Sequence, residues 1–80
     1  MSEIMDKVAG IIRDMFEDYD GPIDGALTAE QVPDWDSLAQ VKLMVAVEAE
    51  FGIRFESREI NEPANVGELV ELVQKKLAKK

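Results

Sequence analysis

Residues 35–55 read Trp-Asp-Ser-Leu-Ala-Gln-Val-Lys-Leu-Met-Val-Ala-Val-Glu-Ala-Glu-Phe-Gly-Ile-Arg-Phe. No glycine or proline interrupts the run from Ser37 to Phe51. Asp36-Ser37 supplies a helix start and Gly52 a C-terminal stop, so the stretch reads as one helix. At about 100° per residue, Leu43, Met44, Val47 and Phe51 gather on one side, and Leu38, Val41 and Val45 form a second apolar strip. One face of a helix in a small domain readily turns to the core. The second strip then meets a partner or a bound apolar group, unless the helix is central and buries both.

Outward from this helix, Ile4, Met5, Val8, Ile11, Ile12, Met15, Phe16 and Tyr19 recur every three or four residues and predict an amphipathic first helix over residues 3–18. Ser2 is available as its N-cap, and Glu3 and Asp6 suit the positive end of its dipole. Asp20-Gly21-Pro22 and Asp24-Gly25 stop it, opening a long loop over residues 19–35 that Ile23, Leu27, Val32 and Trp35 can pin to the core. Beyond Gly52, residues 57–61 make a short helical turn at best, bounded by Pro63. A last helix opens at Asn65, whose side chain can cap while Glu68 reaches back. Val66, Leu69, Val70, Val73 and Leu77 are its buried stripe, and Lys75, Lys76, Lys79 and Lys80 suit its negative end. The fold class is all-α: three long helices, one short helix, a long loop between the first two, and no strand candidate.

Eighty residues make one domain, 1–80, with room for a modest core and little for an enclosed catalytic cleft. Cysteine and histidine are both absent, which removes disulfides, thiolate nucleophiles, the commonest general base and the commonest metal ligand. No acidic residue stands in an apolar context that obviously raises its pKa. The expectation is a protein that is not an enzyme, with no catalytic residues and no metal site. Net charge is -8, and four of the nine basic residues lie in the last six positions. The first 74 residues thus set five basic groups against all 17 acidic ones, a net of -12. That field repels nucleic acid and anionic membranes and attracts basic protein surfaces, although acidity also simply keeps a small protein soluble. No apolar run spans a bilayer and the N-terminus lacks a signal-peptide pattern, so a cytoplasmic monomer is the default.

Ser37 stands at the head of the second helix, where a phosphate ester would meet unpaired backbone N–H groups and the positive dipole end. Ser37 with Gln40 also fits a capping box, S-x-x-Q, the commoner use of a serine at a helix start. On the residues alone, both uses stay open.

The stretch Trp35-Asp36-Ser37-Leu38, continuing through Phe55, resembles the second-helix region of acyl carrier proteins. The resemblance extends from the first helix to Val66-Gly67-Glu68-Leu69. Asp-Ser-Leu alone is a short match. Its weight comes from its place at a helix start, Glu48-Ala49-Glu50-Phe51-Gly52-Ile53, the chain length, the acidity and the lack of Cys and His. The resemblance implies a small four-helix bundle of the acyl-carrier type, with 4'-phosphopantetheine attached covalently to Ser37 by a phosphopantetheinyl transferase. Its thiol would carry acyl, aminoacyl or polyketide groups as thioesters between acyl-loading and acyl-transfer enzymes. Asp36 matches the aspartate that helps the transferase engage magnesium and coenzyme A. Leu38, Val41 and Val45 match apolar positions that contact partner enzymes, and Glu48 matches an acidic recognition position. An apolar crevice between the second helix and the short third one would shield the cargo.

The chain departs from carriers of ordinary fatty acid synthesis at Ala39 and Lys42, where acidic residues are usual, and an inserted cation repels a basic docking patch. With the Trp-Asp-Ser-Leu form and Gly52-Ile53-Arg54-Phe55, this points to a specialised fatty-acyl or polyketide-like pathway. Two other classes compete. A calcium-binding helix-loop-helix protein fails in register: with Asp20 at loop position one, Pro22 and Gln31 fall where oxygen ligands are required, although Asp24 and Gly25 fit. An unmodified helical interaction module would use the Leu38, Val41, Val45 strip and carry no covalent group.

Overall fold

The computed structural model describes residues 3–78. The order is α1 (Glu3–Met15), a 3-10 turn (Ala29–Gln31), α2 (Ser37–Phe51), a second 3-10 turn (Ser57–Glu59) and α3 (Val66–Ala78), with no strand among the described residues. Ser2, Lys79 and Lys80, read above as a cap and a terminal charge cluster, lie outside the described residues.

Each helix buries the centre of the stripe its spacing predicts, while Phe51, Leu77 and the flanking apolar residues of α1 are half-buried against the core. Val8 and Ile12 of α1, Leu43, Met44 and Val47 of α2, and Val66, Leu69, Val70 and Val73 of α3 form one core with Phe16, Leu27, Val32 and Ile53. α1 packs against both α2 and α3. Gly52 ends α2 in the left-handed region at φ 66, its N–H donating to Glu48 O at 2.8 Å, a conformation that costs glycine little. α1 is shorter than its periodicity predicts. Past Phe16, whose N–H still reaches Ile12 O, Tyr19 N–H donates to Phe16 O as a turn, and the Tyr19 hydroxyl donates to Pro22 O at 2.8 Å. The chain has already turned where the apolar pattern continues.

The long loop is pinned as expected: Leu27 and Val32 are buried, and Ile23 and Trp35 pack against the core. The Trp35 ring stacks on Phe16 with centroids 5.1 Å apart. The loop also supplies acceptors for the start of α3, since Val66 N–H donates to Leu27 O and Gly67 N–H to Gly25 O. A Cβ on Gly67 would stand 3.0 Å from Gly25 O, so glycine permits this close approach. Asn65 caps α3 as expected, its Oδ1 accepting from Glu68 N–H at 2.8 Å.

The expected short helix after α2 takes the form of one 3-10 turn, Ser57–Glu59. Pro63 lacks an N–H donor and disfavours helical geometry at Glu62, leaving too few residues to propagate a helix.

Candidate attachment site

Ser37 is the first residue of α2, and the N-cap is Asp36, in extended conformation. The Asp36 Oδ1 accepts from Ala39 N–H at 2.8 Å, and its carbonyl accepts from Gln40 N–H at 2.9 Å. The capping box read from Ser37 and Gln40 is therefore replaced by a cap one residue earlier. Ser37 already has helical geometry, so the side chain that reaches back over the first turn belongs to Asp36. Gln40 turns elsewhere: its Oε1 accepts from Trp35 Nε1–H at 2.6 Å, and its Nε2 donates to Ile60 O at 2.8 Å.

This arrangement leaves Ser37 exposed, and its hydroxyl has no hydrogen-bond partner among the described residues. The backbone N–H groups of Ser37 and Leu38 precede the first intrahelical bonds. A phosphodiester on Ser37 Oγ fits here: it meets two free N–H donors and the positive end of a 15-residue helix, and it reaches solvent without displacing packed atoms.

Beside Ser37 lies an open recess of about 330 Å³ lined by Ala29, Trp35, Asp36, Ser37, Gln40, Asn61 and Pro63. Behind it is a small pit of about 30 Å³, bounded on the inner side by Leu27, Val66 and Leu69. The pit has room for about one water and lies chiefly between the long loop and the start of α3.

The two apolar strips of α2 separate. Leu43, Met44 and Val47 are in the core, whereas Leu38, Val41 and Val45 are 63%, 40% and 55% exposed. Glu48 lies on the outward side, yet it is half-buried and its Oε2 accepts from Phe55 N–H at 2.6 Å. It holds the chain that follows Gly52. Lys42 is exposed and shares a shallow recess with Asp34, Asp36 and Leu38.

Two polar roles are not legible from spacing. One is the Gln40 bridge. The other is Glu59, 8% exposed, whose Oε1 accepts from Glu56 N–H at 2.7 Å and pairs with Lys76 Nζ at 2.6 Å. The Glu56 N–H first, then the Lys76 ammonium, hold the Glu59 carboxyl below its ordinary range, and burial opposes them only in part. A buried-side acid followed by a helix-side lysine 17 positions on gives no local pattern. In the loop, the Asp24 Oδ1 accepts from Ala26 N–H at 3.0 Å, the turn role expected of it. No group of three or more acidic side chains gathers to hold a metal ion among the described residues.

Residues 35–73, which run from Trp35 through α2 into α3, match the family described as the phosphopantetheine attachment site, consistent with an acyl carrier protein. The group such a domain bears is covalent 4'-phosphopantetheine. Domains of this kind are not catalytic themselves and are modified by a phosphopantetheinyl transferase. No curated protein matches the chain in sequence. No helix among the described residues is long and apolar enough to cross a membrane.

Proposed function

We propose that residues 1–80 act as one discrete acyl carrier domain, modified on Ser37 and serving a specialised fatty-acyl or polyketide-like pathway. The observation that carries this reading is the exposed Ser37 hydroxyl, left free because Asp36 caps α2 in its place. In the attachment step, Ser37 Oγ bonds to the pantetheine-bearing phosphorus of coenzyme A. The bond from that phosphorus to the adenosine bisphosphate breaks, and the hydroxyl proton passes to a base of the transferase. Once attached, the arm supplies a thiol that holds an acyl, aminoacyl or polyketide group as a thioester.

The chain's own residues do the remaining work. The N–H groups of Ser37 and Leu38 and the α2 dipole offset the phosphodiester charge. Asp36 keeps Oδ1 on its cap and has Oδ2 available for the magnesium of the transferase complex. Leu38, Val41, Val45 and Glu48 fall within about 80° of arc on α2 and form the docking face for the transferase and for acyl-loading and acyl-transfer enzymes. Lys42 stands about 40° outside that arc, on the Leu38 side, and its charge at the edge of the face disfavours partners with basic patches.

Incubation of the apo chain with a broad-specificity phosphopantetheinyl transferase and coenzyme A tests the reading. Intact mass should rise by a single phosphopantetheine, and Ser37→Ala should take up none. Failure with several transferases points instead to an unmodified interaction module using the exposed α2 strip.

A further inference from the structure

The outer recess and the inner pit share four lining residues: Ala29, Trp35, Gln40 and Pro63. Of these, Gln40 alone has a polar side chain tied at both ends, to the Trp35 indole and to the Ile60 carbonyl. Trp35 is held from its other side by the Phe16 ring. The amide therefore fastens the loop, α2 and the Ser57–Glu59 turn together across the wall that separates Ser37 from the interior. We propose that Gln40 latches this wall shut against cargo, so that the carrier presents short, polar acyl or aminoacyl groups in the outer recess instead of burying a long alkyl chain.

Volume and polarity both support this. The pit has room for about one water, and a chain of several carbons needs several times that space. Enlarging it requires the Trp35 and Ile60 bonds to break, leaving a half-buried amide unpaired. The outer recess is about ten times larger and carries the side chains of Asp36 and Asn61. Those groups solvate a short hydroxylated or aminated acyl group and gain nothing from an alkyl tail.

The inference rests on attachment at Ser37, and the experiment separates the two. Acetyl- and octanoyl-phosphopantetheine are loaded from the corresponding coenzyme A thioesters by a transferase, and intact mass verifies each product before any rate is read. Cleavage by hydroxylamine should then proceed at the same rate for both forms of the wild-type chain. In Gln40→Ala, octanoyl cleavage should slow by roughly 30-fold relative to acetyl, the size expected from removing two hydrogen bonds of ordinary net strength. Gln40→Glu, which keeps the acceptor for Trp35 and loses the donor to Ile60, should fall between and serves if the alanine variant does not fold. A second arm needs no attachment: octanol titrated into the apo chain should leave the emission of Trp35, the single tryptophan, unchanged in wild type and shift it in Gln40→Ala. Wild-type octanoyl thioester protected as strongly as the variant's, or an octanol response in wild type, overturns the latch. Absence of any mass gain overturns the attachment reading, and the octanol titration still decides the latch.

Discussion

The carboxylate of Asp36 caps the backbone N–H of Ala39 at 2.8 Å, and this bond spans the residue proposed to carry the arm. The cap orders the head of α2, and the transferase role proposed for Asp36 is separable from it by substitution. Asp36→Ala should cost about 1 kcal/mol in urea unfolding through loss of the cap. Asp36→Asn caps equally well and should leave stability within about 0.5 kcal/mol. Its modification rate should nonetheless fall by about 10–100-fold, as expected when a group supporting a metal complex loses its charge. Equal modification rates for the Asp36→Asn variant and the wild-type chain would reduce Asp36 to a cap.

The outward strip of α2 lies outside both the core and the half-buried apolar residues packed against it. Leu38→Ala with Val45→Ala should change unfolding free energy by no more than about 0.5 kcal/mol per site. If these side chains form the docking face, KM of the holo chain for its loading enzyme should rise about tenfold or more with kcat little changed, the pattern of lost hot-spot contacts. A large loss of stability instead would mean that the strip packs against the rest of the chain.

Lys42 is exposed at the edge of the proposed docking face, about 40° around α2 from Leu38. Lys42→Glu should raise the association rate with fatty acid synthase enzymes that present basic patches by about tenfold at low salt, with the gain shrinking as ionic strength rises. Stopped-flow rates over a salt series measure this. A gain independent of salt, or none, would remove electrostatics as the source of partner choice.

Much of the fold is legible because the helical stripes are strongly periodic and their ends are marked by Asn65 and Gly52. The separation of the two α2 strips is less so. Periodicity shows that Leu38, Val41 and Val45 share a face, but only the position of α1 against α2 decides which face is covered. The cap at Asp36 was ambiguous for a local reason: Asp36 and Ser37 both favour N-caps, and backbone conformation settles which one has extended geometry. The Gln40 bridge was illegible because its partners lie five residues before it and 20 after it, so a plausible local partner in Ser37 hid a tertiary one.

Glu59 makes the same point through pH. Its carboxyl is held below the ordinary value of 4.5 by the Glu56 N–H and the Lys76 ammonium. The folded chain therefore keeps this group ionised at pH values where the unfolded chain has begun to protonate it. The resulting stabilisation is complete above the unfolded pKa and is lost as pH falls through the folded one. Glu59→Gln, which keeps an acceptor but no charge, should be less stable than wild type by about 1 kcal/mol near neutrality. The gap should close as pH is lowered through the carboxylate range in urea titrations. A gap that stays constant with pH would show that the ion pair contributes nothing beyond a neutral hydrogen bond. The turn fixed by Glu59 also presents the Ile60 carbonyl to Gln40, so the same titration in the glutamine variant, followed by Trp35 emission, should show the wall beside Ser37 loosening before the helices melt.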